Sequence, residues 1–352
     1  MLNKIIKNTL WIFLTFSFQA IAEVTVSRNM AAEPFNQSLV VNPSSYTVLK
    51  LPGTGNANDS YKIGIRANNA IYKDITAFIV DDQNLNLFKQ GYQFRGIGYQ
   101  KAVTPFYIQG STFTVGNHYL VLDNRYAALI SKKIDISIES KFQLSDDDAQ
   151  KIKDIFVNFY SNLKEQINYP DFNINVDTCG EANASSNAQN GDIKYCAEMI
   201  YKLTKSRNSG ALAGIFLHEV GHSVLRLWEM PGNNNEDIAD EFATYMMMSS
   251  GPKGQAFLQG YLDFWAEMIP LSQAEARNMI VNGDRHSLSI QRIRNIRENI
   301  IAGEAFMKKW NRLLYPHFTN QGLQKIIDNP QRGEDPELAK ATLSQMVGFQ
   351  TQ

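Results

Sequence analysis

The stretch "LAGIFLHEVGHSVLRLW", Leu212–Trp228, decides how the C-terminal half is read. Residues four apart on a helix share a face, so His218 and His222 aim two imidazoles at one point. Zinc takes such nitrogen ligands, and a catalytic zinc site uses three protein ligands with one position left for water. Glu219, directly after the first histidine, would stand beside that water and take its proton as it attacks a carbonyl. H-E-x-x-H on a helix is the known signature of this chemistry. Leu217, Val220, Val224 and Leu225 supply apolar packing around the pair. Gly221 is a poor helix former in mid-helix, which implies that something packs closely against it.

Two histidines do not close a site. The metzincin spacing would place Gly three and His six positions after His222, where this chain has Leu225 and Trp228. Downstream, "NNNEDIADEFATYMMM" at 233–248 offers carboxylates. Glu236 on a second helix would complete the ligand set, with Asp237 and Glu241 as competing acids. Asp240, one turn on, would accept a hydrogen bond from the far nitrogen of His218 or His222 and so fix that ligand's tautomer. The plainer account of these acids is a first helical turn that complements the helix dipole. "YMMM" reads as core, and Tyr245 within it is a rival for stabilising an oxyanion.

The pattern "HEVGH…NEDIAD" resembles the gluzincins, the thermolysin-like zinc peptidases with H-E-x-x-H followed by N-E-x-x-x-D. The gap after His222 is shorter than in thermolysin itself. More closely, the chain is similar to a bacterial family of metallopeptidase-like proteins catalogued largely without assigned function. The pieces that carry the likeness are "CGEANA" at 179–184, "CAEMI" at 196–200, "HEVGH", "EDIAD" and "HSLSIQRIRNI" at 286–296. They stand in the family's order and span about the C-terminal half. The resemblance implies His218, His222 and Glu236 as ligands of one Zn2+ ion, Glu219 as general base and Asp240 as the supporting carboxylate. It further implies that Asn183 and Ala184 hold the substrate backbone, although Ser185 and Ser186 replace the usual aromatic pair. A late histidine, His286 here, would steady the oxyanion, where a preplaced donor counts most. Arg292 reads as a structural ion-pair residue and His317, after Pro316, as structural.

The rest of the chain sets the context. The 352 residues allow two domains, and a formal net charge of −1 offers no basic field for nucleic acid. Lys4 and Lys7, the apolar "TLWIFLTFSF" and "AIA" at 20–22 read as a signal peptide over residues 1–22, with the mature chain starting at Glu23. The residue directly after that point is Glu23 and not cysteine, so no lipid anchor is expected. The two cysteines, Cys179 and Cys196, suggest one disulfide in an exported protein. Free, such a cysteine would also be a zinc ligand of the kind peptide deformylases use.

Residues 23–141 hold short β-branched or aromatic runs such as "YKIGIRA", "ITAFIV", "TFTV" and "HYLVLDN", separated by Gly, Asn and Asp. That is the pattern of an antiparallel β-sandwich, jelly-roll-like at its end. At "KFQLSDDDAQKI" Ser145 is a good N-cap, and Ile152, Ile155, Phe156, Phe159, Tyr160 and Leu163 give the following helix one apolar face. Two strand-like pieces, "FNINVD" at 172–177 and "DIKYCAEMI" at 192–200, precede a mostly helical remainder. The second is expected to be the active-site edge strand.

The expectation is an α+β chain, with an accessory β-sandwich over 23–141 and a mainly helical zincin-like domain with a small sheet over 142–352. Its function would be hydrolysis of a peptide or protein substrate by an exported zinc metalloprotease, periplasmic or secreted, with no membrane span once the leader is removed. The competing expectation is an exported, envelope-associated binding protein whose zinc site is structural or inactive. Hydrolysis of a non-peptide amide is a third.

Overall fold

Alternation builds the N-terminal half of the computed structural model, which describes residues 23–55, 57–68, 73–231, 235–268, 289–328, 330 and 334–350. The expected leader and His286 lie outside the described residues. In strand β4, Ser60–Ala67, the residues Tyr61, Ile63, Ile65 and Ala67 are buried while Lys62 and Arg66 are exposed, as a period of two dictates. Strands β2 (Asn29–Val41), β9 (Lys132–Gln143), β4 and β7 (Phe106–Ser111) form one antiparallel sheet in that order. Strands β3 (Tyr46–Lys50), β8 (His118–Asp123), β5 (Asp74–Asp81) and β6 (Ile97–Val103) form the other. Ile63, Ile65 and Ile138 from the first share one buried cluster with Ile75, Ile79 and Leu120 from the second. The two antiparallel sheets thus share one core. β5 is buried on both faces because helix α1, Asp82–Lys89, covers Phe78 and Val80 from outside through Leu85 and Phe88.

Three local expectations are corrected. "TFTV" at 112–115 is a loop. β2 and α1 were not anticipated: β2 carries Pro34 at an irregularity in its pairing between Ala32 and Phe35, and Pro sits in sheets at edges and bulges. α1 has few apolar residues and is started by Asp81, whose carboxylate accepts the Asn84 N–H at 2.7 Å.

The domain boundary is also less clean than expected. Strand β1, Val24–Val26, pairs in parallel with β10, Ile174–Asp177, inside the C-terminal sheet. That sheet runs β1, β10, β12 (Ile193–Cys196), β11 (Ala184–Ser186), with β11 antiparallel at the edge. Met30, Ala32 and Phe142, at one end of β2 and β9, join the C-terminal core. Tyr201 fastens the two halves, donating to the Gly53 carbonyl at 3.2 Å and accepting the Gly53 N–H at 2.8 Å.

The C-terminal half is mainly helical. Helix α2, Asp146–Gln166, starts where Ser145 accepts the Asp148 N–H, and it buries all six residues of the expected face. Phe156 and Phe159 lie on Phe216 of α4, Ser209–Leu227. The piece expected as one strand over 192–200 divides at Cys196, where α3, Ala197–Ser206, begins.

Cys179 and Cys196 form a disulfide, with Cα atoms 5.5 Å apart. The buried Glu198 carboxylate holds the same loop by accepting N–H bonds from Cys179 and from Gly180 at 2.8 Å. Closing a loop of 17 residues restricts the unfolded chain by about 3 kcal/mol. The Cys179→Ser/Cys196→Ser protein is therefore expected to lose about that stability in urea unfolding. A loss below about 1 kcal/mol would mean that Glu198 alone fixes the loop.

Candidate metal centre

α4 is a core helix. Asn208 caps it by accepting the Ala211 N–H at 2.8 Å, and its glycines stand where neighbours cross. A Cβ on Gly214 would lie 2.4 Å from the Tyr261 ring, on helix α6, Gly251–Glu267. A Cβ on Gly221 would lie 3.1 Å from Phe242, on helix α5, Glu236–Ser249, which is the close packing that the mid-helix glycine implies. α5 is started by Asn235, whose side chain accepts the Asp237 and Ile238 N–H groups. Glu236 therefore heads the helix, and Asp240 follows one turn later on the same face.

These two helices bring the expected residues together. The rings of His218 and His222 are perpendicular, with centroids 4.7 Å apart. The Glu236 carboxylate bridges them: Oε2 is 3.0 Å from His218 Nε2 and Oε1 is 3.4 Å from His222 Nε2. One donor atom from each of the three residues lies within 4.8 Å of the others. His218 Nδ1 meets Asp240 Oδ1 at 2.9 Å. Glu219, next to His218 in the chain, is buried.

The competing groups are engaged elsewhere. Glu241 accepts from Lys309 and from Trp310 Nε1 at 3.0 Å. Tyr245 is buried against Trp310 and donates to Asn311 Oδ1 at 2.6 Å, away from the histidines. Cys179, Cys196 and Glu198 also cluster, but the disulfide leaves no thiolate to bind an ion. His317 stacks on Trp228 at 3.9 Å.

Asn183 and Ala184 lie at the sheet edge beside α4. The Asn183 carbonyl accepts the Cys196 N–H, and its side-chain oxygen accepts the Ala184 N–H at 2.8 Å. Ala184 is paired with Tyr195. The edge strand is thus β11, and the expected edge "DIKYC" is an interior strand, with partners on both sides. Among the described residues no strand pairs with the other side of β11. Ser186 meets Ser223 at 2.8 Å and Arg226 donates to the Asn187 carbonyl at 2.9 Å, so the edge is tied to α4 directly after His222.

Three more side chains complete the centre: Arg292 makes a buried ion pair, as its sequence reading expects, while Tyr261 and Trp265 carry no sequence signal. Arg292, on helix α7, Ser289–Ala302, donates from Nε to Asp240 Oδ2 at 2.7 Å and from Nη2 to Oδ1 at 2.5 Å. Its guanidinium lies 3.7 Å from the centre of the Trp265 ring. Tyr261 donates to Asp240 Oδ1 at 2.6 Å. The ion-pair reading of Arg292 agrees with its place one turn before the buried Ile296, inside the apolar face of α7. Tyr261 and Trp265 sit in an apolar stripe and carry no such mark.

The donor set fits a divalent cation. Two carboxylates, Glu236 and Asp240, face one guanidinium, so with neutral imidazoles the cluster lacks positive charge. Asp240 and Arg292 are each only 1% exposed, where an unbalanced charge is costly. Without a cation, protons serve. Burial and Arg292 act against a charged His218, but Asp240 and Glu236 outweigh them and push it up to about 9. Burial likewise opposes the Asp240 charge, yet Arg292 and His218 hold that carboxyl well below its usual range. A metal must displace the His218 proton to bind there.

A family model described as "Putative metallopeptidase" matches residues 139–300, which include every residue of this cluster. No curated protein matches the chain. Among solved structures, the Yersinia pseudotuberculosis-derived mitogen is 11% identical, over 33% of this chain and 93% of its own, with a TM-score of 0.22. The disulfide-linked pili of Bacillus endospore appendages are 9% identical, over 38% of this chain and all of theirs, also at 0.22. Over residues 139–300, therefore, the chain is similar in sequence to a metallopeptidase family.

Proposed function

We propose that the chain is an exported metallopeptidase of gluzincin type that holds one Zn2+ ion through His218, His222 and Glu236. The observation that carries this is the convergence of two imidazoles and one carboxylate within 4.8 Å, with a buried Glu219 next to His218 on the same helix. A purely structural zinc site has no need of a base next to the ion. When bound, the ion supplies Lewis acidity, which lowers the pKa of water and polarises a carbonyl oxygen.

The chain's own groups do the rest. Glu219 accepts the proton of the attacking water and hands it to the departing amine. The free edge of β11 takes an extended peptide by strand addition, which lays a scissile bond along α4. Asn183 and Ala184 hold the peptide backbone at that edge, and His286 donates to the oxyanion. Export is supported by the leader-like residues 1–22 and by the disulfide, since such bonds persist in oxidising compartments. Among the described residues, no helix is long and apolar enough to cross a membrane.

The test is digestion of a mixed peptide library by the purified chain. Cleavage is expected, lost on chelation and restored by one equivalent of Zn2+. A zinc-loaded chain that leaves every peptide intact across pH and temperature would remove the peptidase assignment.

A further inference from the structure

We propose that Arg292 and Tyr261 are positioning residues of the metal centre: they lock the Asp240 carboxylate so that His218 can present only Nε2 to the ion. The inference rests on the metallopeptidase reading and deepens it. A carboxylate has about four lone-pair sites on two oxygens. On Asp240 the Oδ1 atom meets Tyr261, His218 Nδ1 and Arg292 Nη2, while Oδ2 meets Arg292 Nε. The two-pronged guanidinium contact fixes the plane of the carboxylate, and the Trp265 ring fixes the plane of the guanidinium. Asp240 therefore cannot rotate away from Nδ1.

The short approach of Arg292 Nη2 to His218 Nδ1, 3.0 Å, follows from this sharing, because both nitrogens donate to the same Oδ1. In the neutral ring that a metal requires, Nδ1–H stays committed to Asp240 and the lone pair is on Nε2, the nitrogen that faces Glu236. Arg292 Nη1 lies 3.7 Å from Glu236 Oε2, an ion-pair distance that ties the guanidinium to the ligand carboxylate as well.

The arrangement also accounts for a glycine. Tyr261 reaches Asp240 across α4 at Gly214, where any side chain would occupy the space of its ring. The small residue one turn before His218 is what admits the positioning tyrosine. A buried ion pair by itself is weak evidence for stability, since apolar replacements often serve as well. The link through Asp240 to a metal-facing histidine gives this pair a function.

Tyr261→Phe and Arg292→Lys in the full chain test the proposal. The first removes one hydroxyl; the second keeps the charge and loses the fork. Zn2+ affinity is measured by chelator competition, the Co2+-substituted protein by its visible absorption, and the metal-free protein by its Tm. Arg292→Lys is expected to weaken Zn2+ binding about 10- to 100-fold. Tyr261→Phe should weaken it less, and both should change the Co2+ spectrum. If both variants bind Zn2+ with wild-type affinity and give the wild-type Co2+ spectrum, the pair is only a structural staple, whatever happens to Tm. A wild-type chain that takes up no stoichiometric Zn2+ would instead overturn the metallopeptidase reading itself.

Discussion

Glu219→Gln is expected to leave the chain folded and able to load one Zn2+, yet to lower kcat/KM by about 100- to 10,000-fold. The substitution keeps the shape of the side chain and removes its basic oxygen. Glu219 is not among the three residues whose donor atoms converge, so metal affinity should survive. It is buried on the same helix as the two histidines. Neutralising a buried carboxylate removes a desolvation cost, so the metal-free Tm should match or exceed that of the wild type. A simple loss of structure is thereby separated from loss of the base: activity falls while Tm and zinc content hold. A variant within about tenfold of wild-type kcat/KM would move the proton transfer to another group.

What the sequence disclosed, and what it hid, follows from how far apart the interacting residues lie. His218 and His222 form a motif because helical periodicity alone puts them together. The buried face of α2 is equally local: six apolar residues repeat at helical spacing behind a serine cap. β1 pairs with β10, about 150 residues away, and nothing in "VTV" tells one sheet from another. β11 was missed because "ASS" is short and polar, although it forms the sheet edge. The run "DIKYCAEMI" is apolar throughout, so periodicity could not show a strand giving way to a helix at Cys196. At the metal centre the same limit applies. The two histidines, Glu219, Glu236 and Asp240 lie within two neighbouring segments that could be read together. Tyr261 and Arg292 arrive from two further helices, and only the fold reveals that both end on one carboxylate.

Glu236→Ala bears on the remaining ligand. Glu236 is the acid whose two oxygens reach both Nε2 atoms, and Glu241 is already held by Lys309 and Trp310. Its loss is expected to weaken Zn2+ by more than the roughly 10- to 100-fold that a supporting group contributes, and to abolish peptidase activity with it. The readout need not depend on turnover. At a free Zn2+ concentration about 1,000 times Kd, binding stabilises the native wild type by about 4 kcal/mol. The same Zn2+ should stabilise Glu236→Ala by far less, while the metal-free Tm values of the two proteins stay close, because the variant also sheds a negative charge from an overcharged cluster. Retained tight, stoichiometric Zn2+ in Glu236→Ala would transfer the third ligand to Asp237, Asp240 or Glu241. Asp240 could serve only by leaving Arg292 and Tyr261, a cost that would appear as weaker Zn2+ binding, because any ion bound to the native state raises Tm.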